Sequence, residues 1–110
     1  MDENTYQVVI EPQVEDQIQH IIDYLIKEVS LQTAEYVRAG IVQTIKSLNH
    51  MPTIHKPFKV SARNREYRRA LKWKYIVIFY IEEADKTVYV VDVSHSSQNP
   101  QRLIDRLSAP

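Results

Sequence analysis

The stretch that decides the fold is residues 67–102, YRRALKWKYIVIFYIEEADKTVYVVDVSHSSQNPQR. Its pattern predicts three consecutive strands: a charged, half-exposed strand over 66–72, an apolar strand over 75–81 and an alternating strand over 87–95. The polar residues 82–86 connect the last two strands as a hairpin. Because nearly every position from 75 to 81 is apolar, that strand is expected to be covered on both faces of the sheet.

A short strand and two amphipathic helices precede this stretch. Residues 5–10, TYQVVI, predict the first strand, and Pro12 suits the first position of a helix because it has no backbone N–H to leave unpaired. Thr33 is the predicted N-cap of the second helix. Apolar residues at three- and four-residue spacing form a stripe on each helix. The stripes are Val14, Ile18, Ile21, Ile22, Leu25, Ile26 and Val29 in the first helix, and Val37, Ile41, Ile45 and Leu48 in the second.

The remaining segments complete an α+β fold. Residues 51–62 contain two prolines and no clear periodicity, so they are predicted to be a loop, while Asn99 and Pro100 start a short final helix over 101–107. The order is β-α-α-β-β-β with a short C-terminal helix, in which a helical hairpin packs on one face of a mainly antiparallel twisted sheet. The opposite face is expected to be free for binding. One domain is expected over residues 1–110, and the place of the first strand in the sheet stays open.

The amino-acid composition excludes several classes of function. The chain has no cysteine to act as a nucleophile or metal ligand, and its one glycine excludes the glycine-rich loops that hold phosphates. It has neither an apolar run of the ~20 residues that a membrane span needs nor a signal-peptide pattern at its start. We therefore expect a cytoplasmic protein with no membrane partner and no cofactor.

The net charge of zero hides a separation of charge along the chain. Residues 1–35 contain eight acids and one base, whereas residues 56–74 contain eight bases and one acid. The basic segment can attract phosphates or an acidic protein. Two blocks that merely solvate opposite surfaces are an equally good interpretation.

Histidine and serine give weak catalytic signals. The four histidines lack metal-ligand spacing, so no metal site is expected. His95 ends a strand in phase with Tyr89, Val91 and Val93, where it can act as a general acid or base near neutral pH. A structural hydrogen bond between His95 and the backbone is the alternative. Ser94, Ser96 and Ser97 lack the strained glycine-flanked turn of a nucleophile.

Basic and aromatic residues alternate around the charged strand. Arg68 and Arg69 are neighbours, so one faces the helices and the other faces the open side of the sheet. The inward arginine is expected at an edge or paired with a carboxylate such as Asp92. The aromatic residues among these bases can stack on nucleobases or serve as core and cross-strand pairs. They are Tyr67, Trp73, Tyr75 and Tyr80.

Several segments together resemble the RelE/ParE toxin superfamily of bacterial type II toxin-antitoxin systems, also called plasmid stabilization proteins. They span nearly the whole chain. They are YQVVI at 6–10, DYL at 23–25 with Ala34, LNHMP at 48–52, YRRAL at 67–71, Tyr75 with Phe79 and Tyr80, VDVSH at 91–95, and Asn99 with Pro100.

The resemblance implies one of two activities. RelE-like members cut messenger RNA on the ribosome with basic and aromatic side chains on the open sheet face. ParE-like members are thought to poison DNA gyrase without cutting RNA, and both kinds are neutralised by a cognate antitoxin. We expect the antitoxin on the helical hairpin and the sheet edge, because an extended partner can add to an exposed strand or lie in an apolar groove. Homodimer formation is left open.

Two departures favour the ParE-like interpretation. The central strand has Ile76, Val77 and Ile78 where RelE-like ribonucleases place an arginine, and residues 96–98 are SSQ where many relatives have arginines. No catalytic residue is therefore assigned, and a ribonuclease would have to use Arg69, Tyr75 and His95. The target-binding residues implied are Arg65, Arg68, Arg69, Lys72, Tyr75, His95 and Arg102. An inactive homologue that only binds its antitoxin is a third interpretation.

Overall fold

The computed structural model describes residues 5–62, 65–98 and 100–108, and in this part of the chain five strands form one mixed sheet. The spatial order is β1-β5-β4-β3-β2, with β1 parallel to β5 and every other pair antiparallel. The strands are β1 (Gln7–Ile10), β2 (Pro57–Ala62), β3 (Arg65–Lys72), β4 (Tyr75–Glu82) and β5 (Thr87–His95). The three strands predicted from residues 66–95 are therefore confirmed, and β1 lies at the edge beside β5.

The predicted helical hairpin is confirmed as α1 (Pro12–Glu28) and α2 (Leu31–Ser47). Pro12 occupies the start of α1. The N-cap of α2 is Ser30 and not Thr33, because the Ser30 hydroxyl accepts the Thr33 backbone N–H at 3.0 Å. Both helices pack on one face of the sheet, where their stripes meet Val77, Phe79, Val88 and Val90. We call this the hairpin face.

Two residues of the predicted α1 stripe lie outside the core. Ile26 is 45% exposed and Val29 is 60% exposed. The backbone leaves the helix at Val29, which has φ −126° and ψ −83°, so the helical spacing no longer directs its side chain toward the sheet.

No helix among the described residues is both long and apolar enough to span a bilayer.

Residues 51–62, predicted to be a loop, contain a short 3-10 helix (Pro52–Ile54) and strand β2. Strand β2 pairs with β3 in an irregular register, and the Arg69 N–H donates to the Lys56 carbonyl at 3.0 Å. The prediction failed because the segment contains two prolines and pairs irregularly with β3, with a register shift between Pro57 and Ser61, so it shows no regular strand pattern. Strand β2 thus becomes the second edge of the sheet.

The predicted C-terminal helix is confirmed as α3 (Pro100–Ser108). It lies on the sheet face that was expected to be free. Its Leu103 and Leu107 are buried against Tyr67, Ile78 and Val91 on the face opposite the hairpin. The face that was expected to be free is therefore partly covered by the protein's own C-terminal helix. An apolar strand such as β4 requires cover on both sides, and the α3 stripe supplies it.

Strand β5 contains an irregularity that turns residues to different faces. Ile78 pairs with Asp92 while the next residue, Phe79, pairs with Val90, so Val91 is an extra residue in the ladder. Such a bulge breaks the simple alternation of side chains. Val91 and Tyr89 consequently pack on the α3 side, whereas Val93 and His95 lie on the hairpin face. The predicted common phase with His95 is therefore right for Val93 and wrong for Tyr89 and Val91.

Candidate macromolecule-binding surfaces

Strand β3 divides its cations between the two faces of the sheet. Arg65 and Arg69 alternate with Tyr67 on the α3 side, where Arg69 pairs with Ile78. Arg68 and Lys72 lie on the hairpin side together with Ala70. The basic segment is therefore not one continuous patch. Asp2, Glu3, Arg63 and Asn99 of the sequence predictions lie outside the described residues, as does the side chain of Lys59.

Arg65 covers a group of tyrosines beside α3. Its guanidinium carbon lies 4.1 Å from the centre of the Tyr80 ring, which stacks on Tyr89 at 5.1 Å and meets Tyr67 edge-on at 6.0 Å. Burial raises the pKa of Tyr80, an effect that the Arg65 charge partly opposes. The Tyr80 phenol thus stays neutral at physiological pH, and the ring attracts the cation through its π face.

Arg68 holds the segment before β2 in place. Its Nη1 donates to the His55 carbonyl at 2.8 Å and to the Thr53 carbonyl at 3.3 Å, and its Nη2 lies 3.5 Å from the Glu66 carboxylate. Burial, followed by the Arg68 charge, lowers the pKa of His55. Because Nη1 holds two backbone carbonyls of this segment, Arg68 acts first as a structural residue.

The end of the sheet at the β3–β4 turn gathers exposed aromatic rings. Tyr75 and His95 meet edge-on at 5.4 Å on the hairpin face. In the turn, Trp73 stacks on Tyr36 of α2 at 5.0 Å, and the Lys72 ammonium lies 4.8 Å from the Trp73 ring centre. Tyr36 was missed by sequence reasoning, which had no signal for it beyond its position on an exposed helical face.

The sole glycine of the chain explains how this end is built. Gly40 lies inside α2, where a Cβ would stand 2.4 Å from Cη2 of Trp73. Any larger residue would displace the Trp73 ring. An interior helical glycine was therefore the available sequence signal for a close approach at this position.

The three residues that a ribonuclease would require do not meet. Tyr75 and His95 are in contact on the hairpin face, but Arg69 lies on the α3 side of the sheet. The His95 Nδ1 accepts the backbone N–H of Ser97 at 3.0 Å, which is the structural bond foreseen as the alternative to acid-base work.

Two further residues singled out in the sequence have partners within the protein. Asp92 is fully buried and pairs with Arg106 of α3 at 2.8 Å, not with Arg68 or Arg69. The α3 helix brings its own cation to the carboxylate, whereas the side chains of β3 are two strands away. Arg102 donates to Gln98 at 2.7 Å at the start of α3. In the described part of the chain no group of histidine and acidic residues is arranged to hold a metal ion.

Comparison with known proteins places the chain in a family. The profile of the family described as the ParE toxin of the type II toxin-antitoxin system parDE matches residues 8–100. The chain therefore belongs to the ParE toxin family. No curated protein has a matching sequence.

Solved structures share the fold at low sequence identity. The chromosomal ParDE toxin-antitoxin system from P. aeruginosa aligns with a TM-score of 0.67 and 11% identity, covering 84% of this chain and 97% of that one. The RelBE2 toxin-antitoxin complex from Mycobacterium tuberculosis gives 0.60 and 17%, with 86% and 94% covered. The archaeal RelE-RelB complex from Pyrococcus horikoshii OT3 gives 0.58 and 21%, with 86% and 99% covered.

Proposed function

We propose that this member of the ParE toxin family stops growth by binding a macromolecular target, DNA gyrase, without cutting RNA, and that a cognate antitoxin neutralises it. The observation that carries the proposal is the separation of Arg69 from Tyr75 and His95 by the thickness of the sheet. RNA cleavage requires proton transfer and stabilisation of negative charge at one phosphate. Groups on opposite faces cannot act on the same phosphate, whereas a binding protein has no such requirement.

The packing of α3 on the sheet also favours target binding over RNA cleavage. A nuclease on the face opposite the hairpin would need RNA to reach Arg69, but Leu103 and Leu107 of α3 occupy part of that face. On the hairpin face, Lys72, Tyr75 and His95 are partly exposed at the end of the sheet. We assign the target contact first to this end, with Arg65, Arg69 and Arg102 as candidates for a second contact on the α3 side.

A groove beside the helical hairpin fits the proposed antitoxin. It has a volume of about 300 Å³ and lies between α1, α2 and the end of β1. Arg38 and Lys46 supply two cations and Glu15 one acid, among apolar walls that include Ile10 and Val42. A helix that carries apolar side chains on one face and acids at its margin would fill such a groove. Solved structures with the same fold are toxin-antitoxin complexes, which supports an antitoxin as the partner.

The test combines purified proteins with living cells. The chain should inhibit supercoiling of relaxed plasmid by purified gyrase, and its expression without antitoxin should stop DNA replication. Primer extension on translated messages from the same cells should show no codon-linked cuts. Such cuts, with unaffected gyrase, would establish the RelE-like ribonuclease instead. Absence of any growth effect, with tight antitoxin binding, would leave a binding module only.

A further inference from the structure

The β3–β4 turn places a bulky side chain in a backbone conformation that favours glycine. Trp73 has φ 53° in the two-residue turn between Lys72 and Tyr75. A residue with a large side chain rarely adopts this left-handed conformation, and where it does, the surrounding structure must hold it there. Glycine or asparagine is the usual choice in such a hairpin turn.

A second locally unfavourable residue, Gly40, accommodates the Trp73 ring. Gly40 lies in the interior of α2, where glycine destabilises a helix relative to alanine. A Cβ at this position would lie 2.4 and 2.5 Å from two carbons of the Trp73 ring and 3.2 Å from Cε of Lys72. The glycine thus makes the space that the tryptophan occupies.

Burial of the ring does not account for these two choices. Trp73 keeps 47% of its surface exposed, and Tyr36, which stacks on it with a 30° angle between the rings, keeps 66% exposed. A residue selected for the core would be covered. Rigid, half-exposed tryptophan and tyrosine side chains are instead the residues that most often dominate the binding energy of protein interfaces.

The charge around the pair identifies the kind of partner. The Lys72 ammonium lies 4.8 Å from the centre of the Trp73 ring, and Lys74, in the same turn, is exposed. Tyr36 and Lys72 already take up π surface of Trp73, which leaves less of the ring for stacking with a nucleobase. The lysines instead match carboxylates on a protein.

We propose that the Tyr36–Trp73 pair, flanked by Lys72 and Lys74, is the anchor by which the toxin holds an acidic protein segment of its cellular target. This inference rests on the proposed function. The anchor is separate from the antitoxin groove, because Tyr36 and Arg38 differ by two helical positions and therefore point about 160° apart around α2.

The test uses two variants that each remove a ring of the anchor, one that reverses a flanking charge and one control. Trp73→Gly suits the backbone of the turn, and Tyr36→Ala removes the other ring. Each should require roughly thirtyfold more toxin for half-inhibition of purified gyrase, which is the smallest effect expected on losing an interface hot spot. Lys74→Glu should weaken inhibition further at low salt than at high salt. The control is Leu71→Ala, which removes a 59% exposed apolar residue on the other face of β3.

A purely structural role for Trp73 predicts that Trp73→Gly lowers the melting temperature together with inhibition. Under the proposal, Trp73→Gly keeps or raises the melting temperature while inhibition weakens. Tyr36→Ala weakens inhibition to a similar extent without any change in the turn. Equal inhibition by wild type and both variants would overturn the anchor and leave the proposed function intact. Failure of the wild type to inhibit gyrase would overturn the proposed function and the anchor with it. Weakened antitoxin binding or a changed oligomeric state in the variants would assign the pair to those contacts and overturn the proposal.

Discussion

The Arg106 guanidinium of α3 donates to the buried carboxylate of Asp92 on β5, with 2.8 Å between Nη2 and Oδ1. The same Nη2 also donates to the Val91 carbonyl at 2.8 Å, and Gln17 of α1 donates to Asp92 Oδ1 at 2.7 Å. A single strand residue therefore joins the first and the last helices. The other carboxylate oxygen and Nε of Arg106 have no protein partner. Stability should depend strongly on keeping both charges.

Replacing Arg106 with methionine should destabilise the protein by about 3 kcal/mol, because it leaves the Asp92 charge buried without its cation. Equilibrium urea unfolding measures the loss. The matched control is Arg102→Met on the same helix, whose side chain is exposed and donates to Gln98, and which should change stability by less than about 0.5 kcal/mol. Equal effects of the two substitutions would show that the buried pair contributes nothing special.

Gly40→Ala should destabilise the protein, although the same change in an ordinary helix interior stabilises by about 1 kcal/mol. The reason is the 2.4 Å approach of the new Cβ to the Trp73 ring. In a Trp73→Gly background, Gly40→Ala should stabilise the protein as it does in other helices. The double-mutant cycle, measured by thermal unfolding, gives the coupling between the two positions. Additive effects would contradict the contact.

Stability should fall as the pH is lowered through 6.5, partly because of His55. Burial and the Arg68 charge lower the pKa of His55 in the folded state, so the unfolded chain takes up its proton at a higher pH than the folded chain. This contribution is complete above pH 6.5 and is lost as the pH falls toward the lowered folded pKa. Unfolding midpoints of wild type and His55→Gln between pH 8 and pH 5 measure it. The variant should show the shallower dependence, and identical slopes would refute the effect.

Val42→Glu should abolish binding of the cognate antitoxin while the isolated chain stays folded. The change places a carboxylate in the groove that is proposed to receive apolar side chains with acids at their margin. Isothermal titration calorimetry with purified antitoxin measures the loss, which should exceed roughly tenfold. The control is Ile54→Glu at a side chain that is 68% exposed in the 3-10 segment. Wild-type affinity for Val42→Glu would move the antitoxin to another surface.

The strands of the sheet were predictable because their signals are local. The apolar run at 75–81 and the alternation at 87–95 fix β4 and β5 to within one residue at each end. The helical stripes likewise identified α1 and α2. Strand β2 was not predictable, because its pairing with β3 depends on a partner that its own residues do not specify.

The sites were less predictable than the elements, because they depend on which face each residue takes. The extra residue Val91 in the ladder places Val93 on the hairpin face, and no property of the sequence VVDV indicates this bulge. The partner of Asp92 likewise depended on where α3 docks. Sequence indicated that α3 exists but not that Arg106 would reach across to the strand.

The parallel pairing of β1 with β5 has a consequence for the newly made chain. Gln7 pairs with Thr87 and Ile10 with Val90, so the first strand acquires its neighbour only after residues 87–90 have left the ribosome. Contacts between such distant positions form late because a long loop must close first. A nascent chain thus remains incompletely folded until β5 has been synthesised, so a folded surface able to act on a target forms only after most of this domain has been made.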